Sequence, residues 1–165
     1  MVRVSGWLAG VFGMGLLLAG KVLAEACTCP DSVTEEAIAK MTPQEWEQQK
    51  KERNQRHFDA ADVIVAGEVI HVEPHSSRPD YEVATLAVHT IWKGPQERTI
   101  QVASSTQEEC GALLGQSLNG VPLIVYAKRS PEGLLMTDLC MGTGWESYVI
   151  FSLEGVTPTW TATPQ

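Results

Sequence analysis

The sequence predicts a mainly β fold, five strands in a small closed or nearly closed barrel with helices flanking it. Three observations carry this expectation. After Asp62 the chain becomes a succession of short β-branched runs: Val63 to Val72, Tyr81 to Trp92, Thr99 to Ala103, Pro122 to Lys128 and Leu134 to Leu139. Turn-forming segments separate these runs, namely Pro74 to Asp80, Lys93-Gly94-Pro95, Leu118-Asn119-Gly120 and Ser130-Pro131-Glu132-Gly133. Such short connections suit antiparallel neighbours in a closing sheet, whereas a doubly wound sheet needs a long crossover after each strand. Helix formers, finally, gather in one polar stretch ahead of the first strand.

Taken in order, the chain opens with the marks of a secretory signal peptide over residues 1–26. These are a single Arg3, an apolar run from Trp7 to Ala19, and small residues Ala24 and Ala26 flanking the −2 position before Cys27. The run is too short to span a bilayer as a helix, and Lys21 follows it directly, so no stable membrane anchor is expected. Residues 27–165 are then the size of one domain with its own core. A helical insert is expected at about 33–58 as two pieces with a break before Thr42-Pro43. Thr42 suits the N-cap, Pro43 the first helical position, and Glu45 the third position of a capping box. Trp46 is the only large apolar residue of that second piece before Phe58, so the helix presents mostly a solvated face. Trp145 to Leu153 fits either a short helix or a sixth strand; the domain is taken to end at residue 154, with 155–165 a loose Thr/Pro tail.

The chain carries 20 acidic and 12 basic residues, a net charge of −8. Nucleic acid and anionic membrane surfaces are therefore poor partners. Its four cysteines, Cys27, Cys29, Cys110 and Cys140, are an even number in a chain addressed to an oxidising compartment, and disulfides are the expected state. A Cys27–Cys29 bridge would close a tiny strained ring, so each of these two reaches one of the distant pair, in either combination. A metal site on Cys27 and Cys29 is disfavoured because Cys110 and Cys140 are isolated from them and from each other.

Catalytic constellations are missing from the sequence. It holds no Gly-x-Ser-x-Gly elbow, oxidised thiols cannot act as nucleophiles, and Glu108-Glu109 are merely adjacent on a loop. No enzyme activity and no cofactor are expected. His71 and His75 are spaced like metal ligands, but Pro74 between them breaks any helix that would align them, and an exposed hairpin loop is the better expectation. Trp92-Lys93-Gly94 reads as a core aromatic followed by a turn in which the glycine takes positive φ.

Cys27-Thr28-Cys29 at the mature N-terminus, Phe58-Asp59-Ala60-Ala61-Asp62-Val63-Ile64 opening the first strand, Trp92-Lys93-Gly94 closing the second, Cys110-Gly111 after the third and Thr137-Asp138-Leu139-Cys140 closing the last together resemble the netrin-like domain of the tissue inhibitors of metalloproteinases. The resemblance covers nearly all of the chain after residue 26, residues 27–154 being the expected domain. A third N-terminal-segment cysteine and the C-terminal subdomain of the animal proteins are absent, and the stretch from Cys29 to Ala61 is longer. In this the chain is similar to the simpler secreted bacterial members.

The resemblance implies a five-stranded OB-type barrel with flanking helices, and disulfides Cys27–Cys110 and Cys29–Cys140. It also implies an inhibitory ridge of Cys27, Thr28, Cys29 and Pro30, with Ser105, Thr106 and Glu109 along a second edge. In that arrangement the Cys27 α-amine and carbonyl chelate the zinc of a target metalloprotease, and the Thr28 side chain enters its specificity pocket. The expected protein is thus a secreted, extracellular or periplasmic inhibitor whose partner is a zinc metalloprotease. The alternative is a binding or adhesion module that uses the barrel face toward another extracytoplasmic protein. Lipidation of Cys27 is disfavoured, because Ala24-Glu25-Ala26 is a poor lipobox and an odd cysteine would be left over.

Overall fold

The computed structural model describes Cys29, residues 32–106, Gly111 and residues 118–162. Two helices come first, α1 (Glu35–Ala39) and α2 (Pro43–Ala60), followed by strands β1 (Val63–Pro74), β2 (Tyr81–Lys93), β3 (Thr99–Ser105), β4 (Pro122–Arg129) and β5 (Leu135–Met136). The C-terminal part adds a 3-10 turn (Leu139–Met141), β6 (Gly144–Trp145), α3 (Glu146–Val149), a second 3-10 turn (Ile150–Leu153) and β7 (Trp160–Thr161).

Hydrogen bonding closes on itself through five strands. β1 pairs antiparallel with β2 along one edge and with β4 along the other, and β2 continues to β3. β3 meets β5 in parallel at Ala103 and Met136, and β5 returns to β4 through Arg129–Leu135 and Lys128–Met136. The ring is thus β1-β2-β3-β5-β4, with β6 added outside β4 and β7 beside β2.

The continuous apolar runs of β1 and β4 follow from burial on both faces. Val63 and Val65 of β1 and Leu123, Val125 and Ala127 of β4 join Leu86, Val102 and Leu135 in a core to which all five ring strands contribute. The alternate residues Ile64, Ala66, Ile124 and Tyr126 point the other way, where Trp92, Leu153, Phe58 and Val149 cover them. Pairing skips a residue at three places between β1 and β2. Each skip reverses which face a side chain takes. After the last one Val72 remains in the core, while Ile70 is left 52 % exposed. Gly67 lies at another skip, and a Cβ there would come 2.5 Å from the Ala87 carbonyl oxygen, so only glycine permits this approach of the strands.

The helical insert forms as its capping signals predict. Thr42 Oγ1 accepts the Glu45 N–H at 3.3 Å, and the Glu45 carboxylate accepts the Thr42 N–H at 2.7 Å. The Thr42 N–H, and secondarily the Thr42 hydroxyl donating to the same carboxylate at 2.8 Å, hold the Glu45 carboxyl below its usual range. α2 buries no residue fully and is secured at its C-terminal end. There the Lys93 ammonium donates to Phe58 O at 3.0 Å and Asp59 O at 3.2 Å, satisfying carbonyls at the negative end of the helix dipole. Trp92 is buried and Gly94 has φ of +113°, so Trp92-Lys93-Gly94 is an aromatic and a turn joined by a helix-capping lysine.

Three expectations change on the C-terminal side. The fifth strand is confined to Leu135–Met136, because Asp138 caps the 3-10 turn that follows. Trp145 to Leu153 is neither purely helix nor purely strand, since β6 passes directly into α3 and a 3-10 turn. The stretch after Gly155 is not loose over its described part: Val156 packs on the outer core, and Trp160 and Thr161 pair with Ile91 and Thr90 of β2.

Candidate functional site

Cys29, where the described chain begins, is bonded to Cys140 across a sequence separation of 111, with Cα atoms 5.2 Å apart. This is the pairing that the family resemblance implies. Cys140 is itself well held. Its 3-10 turn starts at Asp138, whose carboxylate accepts the Met141 N–H at 2.8 Å. Behind the turn, the buried Thr143 Oγ1 accepts the Tyr126 N–H at 2.9 Å and lies 2.6 Å from Thr137 Oγ1, which donates to Tyr126 O at 2.7 Å. With Thr143 donating to Thr137, each hydroxyl proton finds an acceptor, as burial demands. The disulfide therefore ties Cys29 to a segment that is locked to β4.

Ser105 closes β3 opposite Tyr81, the first residue of β2. It borders a cavity of about 130 Å³ with Tyr81, Gly111, Thr137, Asp138 and Met141. Gly111 forms a β-bridge with Asp138, so the chain just beyond the β3 loop is drawn to the turn that carries Cys140. Cys29 and Ser105 thus both adjoin the segment Asp138–Met141, Cys29 through its disulfide and Ser105 across the small cavity. Thr106 turns away toward the β1–β2 hairpin: its N–H donates to Asp80 O at 2.8 Å, and it borders a separate cavity with Pro74, Pro79 and Glu82. Burial in this region pushes the Glu82 carboxyl above its usual range. Cys27, Thr28, Pro30, Glu109 and Cys110 lie outside the described residues.

His71 is exposed on β1 with its Nε2 3.6 Å from the Glu73 carboxylate, while His75 Nδ1 accepts the Ser77 N–H at 3.3 Å in the hairpin turn. The two histidines thus have separate local partners. Among the described residues no three His, Cys, Asp or Glu side chains converge as metal ligands, and no helix is long and apolar enough to cross a membrane.

Sequence reasoning named Thr137 and Asp138 only as part of the motif around Cys140; it missed their roles in holding the site together, and it missed Thr143 altogether. Asp138 had a readable signal, a capping carboxylate three residues before the amide it accepts. Thr137 and Thr143 had none, because only the turn between them brings their hydroxyls together. No family model and no curated protein sequence matches the chain.

Proposed function

We propose that the protein is a secreted netrin-like domain, its strand ring a five-stranded OB-type barrel, that inhibits a zinc metalloprotease through Cys27 and Thr28. The observation supporting this reading is the Cys29–Cys140 disulfide, which fixes a point two residues after Cys27 to the segment Asp138–Met141 that Ser105 also adjoins. The closed order β1-β2-β3-β5-β4 agrees with the same reading.

In this proposal Cys27 is the mature N-terminus and is clamped to Cys110. Its α-amine and carbonyl oxygen form a five-membered chelate on the protease zinc and displace the water that serves as the protease's nucleophile. The amine must shed a proton to bind, at little cost for a group with a pKa of about 8. Two bridges hold the ridge rigid, so little ordering entropy is lost on docking. Thr28 occupies the specificity pocket, with Pro30, Ser105, Thr106 and Glu109 completing the contact.

The test compares protein beginning at Cys27 with protein carrying one extra alanine before it, against a panel of zinc endopeptidases. Inhibition by the first and its loss in the second are expected. Equal inhibition by both, or none by either, overturns the mechanism. The second reading, a binding module acting through the outside of the ring, is favoured by the exposed aromatics Trp145, Tyr148 and Phe151, the last two 74 % and 70 % exposed. Such binding would be indifferent to the added alanine.

A further inference from the structure

We propose that the cleft between α2 and the turn carrying Cys140 binds a carboxylate, independently of any action on a protease. The cleft, about 350 Å³, is bordered by Arg53, Asn54 and His57 from α2 and by Tyr148 from α3, with the Cys29–Cys140 disulfide in its wall. That volume is within the range of small-ligand sites. Arg53 and His57 stand four residues apart and share a helix face, with Asn54 beside them. Opposite, Gly142 lets the wall approach His57 closely, since a Cβ there would come 2.9 Å from His57 Nδ1.

Two polar groups of this cleft, the Arg53 guanidinium and the Asn54 amide, can offer donors to a ligand. Arg53 and Asn54 are both half-buried, and neither forms a hydrogen bond or ion pair with a described residue. Some other cations find partners, Lys50 with Glu47, Lys93 at the end of α2 and Arg129 on Gly133 O, while Lys51, Arg98 and Lys128, which form no such bond with a described residue, are exposed to solvent where Arg53 is half-buried. Yet the chain has 20 acidic residues against 12 basic ones, and among the described residues no Asp or Glu borders the cleft. An unpartnered guanidinium withdrawn partly from water is electrostatically incomplete. A planar acceptor-only group matches it, taking two parallel bonds from Arg53 and a third from the Asn54 amide. Leu139, Val149 and the disulfide offer apolar wall to a short carbon chain. Ser152 is already committed, donating to Val149 O and contacting Tyr126 Oη. The carboxylate could belong to a free small acid or to a glutamate side chain of a peptide.

Calorimetric titration of the mature protein at low ionic strength, with glutarate, a blocked glutamate-containing peptide and inorganic phosphate, tests the proposal. Saturable carboxylate binding is expected with a Kd of about 1 mM or tighter. Arg53→Gln should weaken it about tenfold or more, as loss of a charge-assisted pair requires. Amide shifts on titration should cluster at residues 53–57 and 139–149. Tighter binding of the peptide makes a partner's side chain the ligand, and tighter binding of glutarate makes it a free acid; either supports the proposal. No saturable carboxylate binding, phosphate binding as tight as either carboxylate, or binding unchanged in Arg53→Gln overturns it. Asn54→Leu is a second variant, expected to weaken binding less, should Arg53→Gln not fold.

Discussion

Glu82 shows how one side chain can set a pH dependence. It lies on β2 between Pro74 of β1 and Ser104 of β3, and its burial raises the pKa of the carboxyl above the usual value. The folded protein therefore holds this proton at a pH where the unfolded chain has released it. By linkage, its contribution is fully present below the unfolded pKa and is lost as pH rises through the folded one. Glu82→Gln should accordingly raise the urea midpoint at pH 7 and change it little at about pH 3, well below the unfolded pKa, where the carboxyl is protonated in both states. A variant that is equally shifted at both values would show that packing, not ionisation, is responsible. Tyr126 follows the same rule at the alkaline end, its phenol pushed up by burial and only partly offset by the bond to Ser152.

Among the elements, β1 and β2 depend on their irregularities. Gly67→Ala would press a methyl group into the Ala87 carbonyl, and neither backbone can retreat without disturbing the ring. A loss of about 1–3 kcal/mol is expected in chemical denaturation; an effect under ~0.5 kcal/mol would mean that the skip in pairing relaxes freely. Sequence patterns predicted both N-terminal helices, α1 and α2, and all four long strands, because capping boxes, β-branched runs and turn residues are local signals. They did not predict β7, two residues whose pairing comes wholly from β2, nor the early end of β5 at an aspartate cap. The skips between β1 and β2 were hidden for the same reason, being properties of a pair of strands. At the candidate site, cysteine parity restricted the pairings, and the family resemblance named Cys29–Cys140. The threonine lock behind Cys140 carries no local pattern at all.

For the whole molecule, the disulfide is the longest-range tie described. Replacing Cys29 and Cys140 together by serine should lower stability by about 2–4 kcal/mol, as expected for opening so long a loop. Urea titration with and without the double substitution measures this directly. A difference near zero would mean that the threonine lock and the strand ring already fix this end of the fold unaided.

The same tie gives residues 32–61 an unusual standing. The chain leaves the body at Cys29, runs out through α1 and α2, and re-enters at Asp62, whose N–H donates to Ala127 O and whose carboxylate accepts the Arg129 N–H. Both gateposts of this excursion are fastened to the ring, one covalently and one by strand hydrogen bonds. A peptidase that nicks α1 or the solvated turns of α2 therefore releases nothing. The severed N-terminal piece stays attached through sulfur, so the backbone between the gateposts is redundant as a connection.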